Sequence, residues 1–395
     1  MVGADELSAS YHLCVRPLIK EFRLKISFVV QDLVGQGVQY ATAIIAREFA
    51  RRGWEVEILV SPVHDDKIAQ GGKSFELPDS IKLSYMPNRR GSRNGWFMRK
   101  YLKTCGSDFV IAESGIYSWC IRWASFGIAK KNLPKLVQVV HGNEDMLSGW
   151  PLFKYRFKSW FHYRNFTALF FVNQQSELNF RAMCGFLKKL RIGTVNNACI
   201  DSVACSKYKL PPKHPWLINK DCCTLVTAGS YTPGKCHLML LEAMRRVTAQ
   251  RRVRLLIFGR GYLEPQYHDF IAKYGLEDSV SIAGFTDQLP AEIYASDGLI
   301  SPSDEESFGI TIVEALACGK PVISTDAPYG PREILADGKY GRLVPVNDSA
   351  AMAQAIIDCA DGKVPAASDE SWKRYTIEAV MEKYLKGMGL EENVL

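Results

Sequence analysis

The stretch from Gly298 to Ser324 constrains this 395-residue chain most. Two short apolar strands, Gly298-Leu299-Ile300 and Pro321-Val322-Ile323-Ser324, bracket a polar, acidic loop and an apolar run. Ser303 to Ser307 is too polar for a buried element and reads as loop. From Gly309 the residues are small or apolar until Gly319, a residue type that stops a helix just past its end. The spacing predicts a helix from Gly309 to Cys318, apolar nearly all round except for Glu314, as a buried helix is.

That local structure has a chemical use. The first turn of a helix carries N–H groups without partners and sits at the positive end of the dipole. Gly309, Ile310 and Thr311 are therefore placed to hold a phosphate. Glu306 lies in the loop beside that point. Glu314 lies more than a turn deeper, and a carboxylate inside an apolar helix is costly unless something hydrogen-bonds to it. Ribose or sugar hydroxyls would do so. The plain alternative is a solvated acidic loop followed by a core helix with one satisfied glutamate.

Glu306 and Glu314 are separated by seven residues. With the surrounding words PSDEESFGITIVEALACGKPVIST and GPREILADGKYGRLVPV, this resembles the E-x(7)-E region of family-4 retaining GT-B glycosyltransferases. Many lipopolysaccharide, capsule and exopolysaccharide enzymes belong to that family. The resemblance implies two Rossmann-like domains facing each other across a cleft. It implies that Glu306 binds sugar hydroxyls and Glu314 the ribose, with Phe308 and Gly309 at the donor.

Bulk properties agree with a two-domain globular protein: 47% hydrophobic and 23% charged residues over a length that suits two cores. No run of 18 or more apolar residues is present, so no spanning helix is expected. The N-terminus shows no secretory pattern. The eleven cysteines form no C-x-x-C pair or zinc-like cluster, which reads as reduced thiols in a cytoplasm. Net charge is +7 but uneven: residues 1–200 carry 28 Lys+Arg against 16 Asp+Glu. A basic first half suggests an anionic partner there, whether membrane surface, phosphorylated acceptor or nucleic acid, or general solubility charge.

Along the chain, residues 1–23 read as an extension. Lys25–Val30 reads as a buried first strand, Val34-Gly35-Gln36-Gly37-Val38 as a glycine turn opening a helix to Arg51, and Trp54–Val60 as the next strand. This is a βαβ unit. It resembles the opening of family-4 enzymes, where Gly35 and Gly37 would approach the acceptor; a tight strand-to-helix turn explains them equally. Further strands are expected at Ser107–Ala112, Lys135–Val140, Leu169–Asn173 and around Gly193–Asn197. His141 follows the second of these. Ligands in open α/β sheets sit beyond the carboxyl ends of strands, and the resemblance puts a histidine near the transferred sugar at this point. Lys209–Pro215 is proline-rich and reads as a linker.

A second domain opens with a strand at Thr224–Gly229, the loop Ser230–Lys235 and a helix to Arg246. The resemblance makes Lys235 a ligand of the donor diphosphate; a solvated helix-start lysine is the alternative. The family's arginine five residues earlier is Ser230 here. Arg260, just past a strand, is one candidate substitute and Arg332 another. Val280–Phe285 reads as strand and turn, with Phe285 near the nucleotide base by resemblance. A final helix, about Thr376 to Gly387, resembles the C-terminal helix that crosses back to the first domain.

The expected organisation is an extension (1–23), an acceptor-side Rossmann-like domain (24–200, with 372–395 crossing back) and a nucleotide-sugar domain (201–371). The expected activity is retaining transfer of a hexose or N-acetylhexosamine from a nucleotide sugar, a UDP-sugar, to a saccharide or lipid-linked saccharide. Catalysis would rest on Glu306, His141 and Lys235. Donor contacts would come from Lys235, Arg260, Phe285, Phe308, Gly309, Ile310, Thr311 and Glu314, and acceptor contacts from Gly35, Gly37 and His141. No metal or other cofactor is expected. The rivals are a nucleotide-sugar 2-epimerase of the same fold and an inactive nucleotide-sugar-binding scaffold; no nucleic-acid reading motif appears.

The stretch Trp150–Phe166 alternates aromatics with cations. It suggests either a helix on an anionic membrane surface, making the enzyme peripheral on the cytoplasmic face, or a core helix with buried rings and solvated cations.

Overall fold

The computed structural model describes residues 23–33, 37–62, 77–88, 91–201 and 208–390. The first 22 residues, Gly35, Arg89 and Arg90 lie outside them. Seven strands form the first sheet: β1 (Lys25–Val30), β2 (Glu55–Val60), β3 (Ile81–Tyr85), β4 (Phe109–Ala112), β5 (Lys135–Val140), β6 (Phe166–Phe171) and β7 (Arg191–Thr194). Their order is β3-β2-β1-β4-β5-β6-β7, and every pairing is parallel. Six strands form the second: β8 (Cys223–Ala228), β9 (Val253–Phe258), β10 (Val280–Gly284), β11 (Gly298–Ser301), β12 (Val322–Thr325) and β13 (Arg342–Val344). Their order is β10-β9-β8-β11-β12-β13, again all parallel.

Parallel sheets need helices on both faces, so their strands are continuous apolar runs. In β1, Ile26, Phe28 and Val30 pack into one core while Val29 packs into another on the opposite face. On the first face lie the helices Val38–Arg51 and Ile377–Met388, the latter seating Tyr384 against Phe49 and Phe170 at ring distances of 6.4 and 5.4 Å. On the other lie Gly95–Thr104, Gly115–Ala124, Gly149–Tyr163 and Gln174–Cys184.

Several elements differ from the sequence reading. The strand expected at Leu169–Asn173 begins at Phe166 and ends at Phe171, and that expected near Gly193–Asn197 is Arg191–Thr194. The edge strand β3 was not anticipated; only Ile81 of its residues is buried. Trp150–Phe166 is not a core helix with buried rings. Its helix buries only Ser159 and His162, while Trp150, Phe153, Phe157 and Trp160 are exposed.

The strand order reverses direction between β1 and β4, and again between β8 and β11. Each reversal opens a crevice beyond the carboxyl ends of the strands. The site residues sit at these two places.

Candidate active site

The crevice of the second sheet lies between the loops after β8 and β11. The helix after β11 runs Ile310–Ala317, with Gly309 as its N-cap at φ 103°. That left-handed backbone favours glycine. The first-turn N–H groups of this helix have no helical acceptors, so Gly309, Ile310 and Thr311 present donors to the crevice. Glu306 stands before them, and its Oε2 accepts a 2.6 Å hydrogen bond from Lys235 Nζ. Both side chains are partly exposed, at 20% and 30%.

Lys235 stands before the helix, at the end of the loop Ser230–Lys235, and not in its first turn. It ends a 3-10 turn, Pro233–Lys235, and Cys236 takes a left-handed conformation before the helix His237–Thr248 begins. This break turns Lys235 toward Glu306 rather than along the helix. The backbone N–H of Tyr231 donates to Arg260 O at 2.9 Å, so the Ser230 loop and the Arg260 loop are held together. The Arg260 guanidinium lies 4.8 Å from the centre of the Phe285 ring. Arg332 is occupied elsewhere, paired with Asp326 and Asp337 on an exposed surface.

Phe308 is buried against Tyr375, ring centres 5.4 Å apart. Gly330 packs on its backbone so closely that a Cβ there would lie 2.0 Å from Phe308 O. The same Gly330 donates its N–H to Glu306 O at 3.0 Å. The Gly330–Ile334 helix thus holds the Glu306 loop in place.

Glu314 is buried, at 6% exposure. After burial itself, its charge helps to raise the pKa of Tyr40 and Cys199. Tyr40 belongs to the first turn of the helix after β1, whose N-cap is Gly37 at φ 86°. The neighbouring Val38 and Gln39 line the first-domain cavity.

This cavity, about 480 Å³, lies at the β1/β4 crevice. Glu113, Ser114, Trp119, Gln138, His141, Lys158 and His162 form much of its wall. His141 Nε2 is 2.8 Å from Glu113 Oε2, a contact that holds the ring. His162 Nε2 hydrogen-bonds Ser118 Oγ, which also donates to Gln138 Oε1. Burial, followed by the charges of Arg122 and Lys158, depresses the His162 pKa to about 3, so the ring stays neutral. Glu113 Oε1, Ser114 Oγ, His141 Nδ1 and His162 Nδ1 are buried without a hydrogen-bond partner among the described residues. Buried polar atoms are normally satisfied. The four belong to residues that line this one cavity.

The two crevices are joined. The loop after β5 carries His141 into the cavity and, four residues on, Asp145 to the Tyr329 hydroxyl. Tyr329 in turn pairs with Glu306 along the backbone. Asn173 Nδ2 donates to Ser307 O at 2.9 Å, and Glu333 accepts from Gln174 N at 2.7 Å and Asn196 Nδ2 at 3.2 Å. Sequence reading missed Glu113, His162, Tyr329 and Glu333. Glu113 was findable, because it follows the end of β4 as His141 follows β5.

Comparison with known proteins gives this geometry a family. Residues 222–361 match the model for glycosyl transferases group 1. Over 173 residues the chain is 34% identical to phosphatidyl-myo-inositol mannosyltransferase of Mycobacterium leprae (strain TN), covering 41% of this chain and 45% of that protein. The chain therefore matches less than half of that relative. It is 24% identical over 317 residues to the putative glycosyltransferase EpsD of Bacillus subtilis (strain 168), covering 78% of this chain and 80% of that one. The crystal structure of Anabaena HepE with UDP and glucose superposes with a TM-score of 0.70 at 22% identity, over 93% of this chain and all of that one. The chain has the GT-B fold of two Rossmann-like domains, and its residues 222–361 match the group 1 glycosyl transferase model.

Proposed function

We propose that the chain is a retaining glycosyltransferase that moves a hexose or N-acetylhexosamine from a UDP-sugar to a saccharide or lipid-linked saccharide in cell-surface glycan synthesis. In this reading the donor domain is 201–371 and the acceptor domain 24–200, with 372–395 crossing back. The observation that carries the reading is the Lys235–Glu306 pair set against the open start of the Ile310–Ala317 helix. One cation, one carboxylate and free backbone donors are what a sugar diphosphate requires.

The roles follow from position. Lys235, the helix start and Arg260 stabilise negative charge on the departing diphosphate, without a metal ion or other cofactor. Arg260 takes the place of the cation missing at Ser230, supported by the tie between their loops. Phe285 borders the base, Phe308 shapes the pocket and Glu314 receives the ribose. Glu306 holds the sugar hydroxyls and keeps Lys235 directed at the donor. His141, positioned by Glu113, faces the sugar from the acceptor side, where Gly37 and Gly35 also lie in this reading. The bond between the anomeric carbon and the diphosphate oxygen breaks, and the electron pair leaves with the diphosphate. An acceptor hydroxyl bonds to the anomeric carbon on the same face and passes its proton to the departing oxygen.

The UDP in the HepE complex supports the choice of base, and the mannosyltransferase named for phosphatidyl-myo-inositol supports a lipid-bearing acceptor. No helix of the described residues is long and apolar enough to cross a membrane. A cytoplasmic enzyme held peripherally on an anionic membrane goes with such an acceptor, and no nucleic acid is required. The test is incubation with a UDP-sugar panel, with and without glycolipid acceptors. Transfer that needs both substrates supports the reading. Donor consumed without acceptor favours an epimerase, and binding without turnover favours a scaffold.

A further inference from the structure

The helix Gly149–Tyr163 has two chemically different faces. Toward the protein, Tyr155, Lys158, Ser159 and His162 line the first-domain cavity. Away from it, Trp150, Phe153, Phe157 and Trp160 are 65%, 61%, 64% and 47% exposed. Successive steps of three, four and three place these rings in one stripe along the helix. Phe186 extends it, lining a shallow groove of about 290 Å³ with Phe153, Arg156, Phe157 and Trp160. On the next helix, Trp123 packs on Phe161 at 5.4 Å and is itself exposed. A contiguous apolar surface of this kind marks an interaction site.

Its charge identifies the partner. The helices over residues 91–104 and 115–124 pack on the same face of the sheet as 149–164. Together these three segments hold nine Lys and Arg and no Asp or Glu; Arg122 is buried and Lys158 faces the cavity, which leaves seven for the outer face. Cations lie over the rings themselves: Lys154 is 5.5 Å from Trp150, Arg156 5.6 Å from Phe186 and Arg164 5.7 Å from Trp160. Nucleic-acid strands are held in cationic grooves that wrap the backbone. Here the rings form one exposed stripe along a helix with only a shallow groove beside it, which suits a broad anionic surface with an apolar layer beneath it.

We propose that this face docks on an anionic phospholipid bilayer, with the Gly149–Tyr163 helix lying in the headgroup layer. The rings enter the acyl boundary and the cations meet the phosphates. Because the opposite side of the same helix lines the cavity, only about 10 Å, one helix diameter, separates cavity from lipid. An acceptor sugar in the cavity can then stay attached to a lipid in the bilayer. This last step rests on the transferase reading; the docking does not.

Vesicle flotation tests it, using full-length protein with phosphatidylcholine alone or mixed with phosphatidylglycerol. The protein should float with the mixed vesicles and lose binding as salt rises. Each surface cation contributes about fivefold to binding. The triple change Lys154→Ser, Arg156→Ser and Arg164→Ser should therefore cost on the order of a hundredfold. Changing Trp150, Phe153 and Phe157 to Ser should weaken binding while leaving thermal stability and UDP-sugar binding unchanged, because all three are exposed. Equal flotation with neutral and mixed vesicles, wild-type flotation of both variants, or binding to single-stranded RNA without flotation would overturn the proposal. Flotation without sugar transfer would leave the docking intact and remove the transferase reading. Transfer without flotation would do the reverse.

Discussion

The two crevices have the same topology but are built differently. In the second domain most of the site lies within one continuous stretch, from Glu306 through the Ile310–Ala317 helix to Gly330–Ile334. In the first, the cavity draws residues from β1, β5, the loops after β1, β4 and β5, and three helices, spread from Val30 to Tyr163. The second crevice presents charge to partly open solvent, through Lys235 and Glu306. The first presents buried, unpartnered polar atoms. A phosphate-bearing ligand is gripped by charge and backbone dipoles, which a short motif can supply. A neutral polyol is recognised by many separate hydrogen bonds, which only the assembled fold can supply.

The largest effect is expected at Glu306. Glu306→Gln removes charge with little volume, and should lower turnover on the order of 100-fold while the fold remains. Its pair with Lys235 is partly exposed, so loss of the pair should change stability by no more than about 1 kcal/mol. Single-turnover assays and thermal melts measure the two effects. Near-normal turnover would remove Glu306 from the site.

A smaller effect is expected at Glu113, whose Oε2 holds the His141 ring. A hydrogen bond to a charged group is worth roughly 1.5–3 kcal/mol, so Glu113→Gln should lower transfer about tenfold or more. Donor affinity should be unchanged, because Glu113 belongs to the other crevice. A parallel loss of donor binding would show that the two halves do not divide the work in this way.

How far the sequence disclosed this molecule follows the same division. The bounds of β1 and β5 were readable as continuous apolar runs, and both observed strands match them. The helix ending at Gly319 was readable because glycines bracket it. Strand β3 was not, since an edge strand with one buried residue leaves almost no apolar signal. The Lys235–Glu306 contact joins residues 71 apart, and no local pattern announces it. The Ser118–Gln138–His162 network was hidden for the same reason: each member looks like an isolated polar residue until the sheet brings them together. The ring-and-cation pattern of 150–166 was visible, but whether its rings face inward depends on what packs against the helix.

The smallest effect is one of pH. Each domain buries one neutral histidine beside its site: His162, depressed to about 3, and His237, depressed to about 4, both chiefly by burial. Above the unfolded value near 6.5 neither state binds the proton, so neither histidine affects stability there. Below it the unfolded chain takes up protons that the native rings refuse. Stability should fall from about pH 6.5 toward pH 4, by up to about 1.4 kcal/mol per pH unit for each ring. Denaturant melts of His162→Asn and His237→Asn should each show a shallower slope than the parent. An unchanged slope in both would mean that carboxylates alone set the acid response.

The central claim is that the Lys235 crevice binds a sugar diphosphate, and donor-induced stabilisation tests it most directly. A ligand at 100 times its dissociation constant stabilises the native state by about 2.7 kcal/mol. At least one UDP-sugar should raise the melting temperature of the parent protein, and Lys235→Ala and Arg260→Ala should each weaken donor affinity about tenfold. Absence of stabilisation by any nucleotide sugar, or equal stabilisation of the parent and Lys235→Ala, would contradict the account.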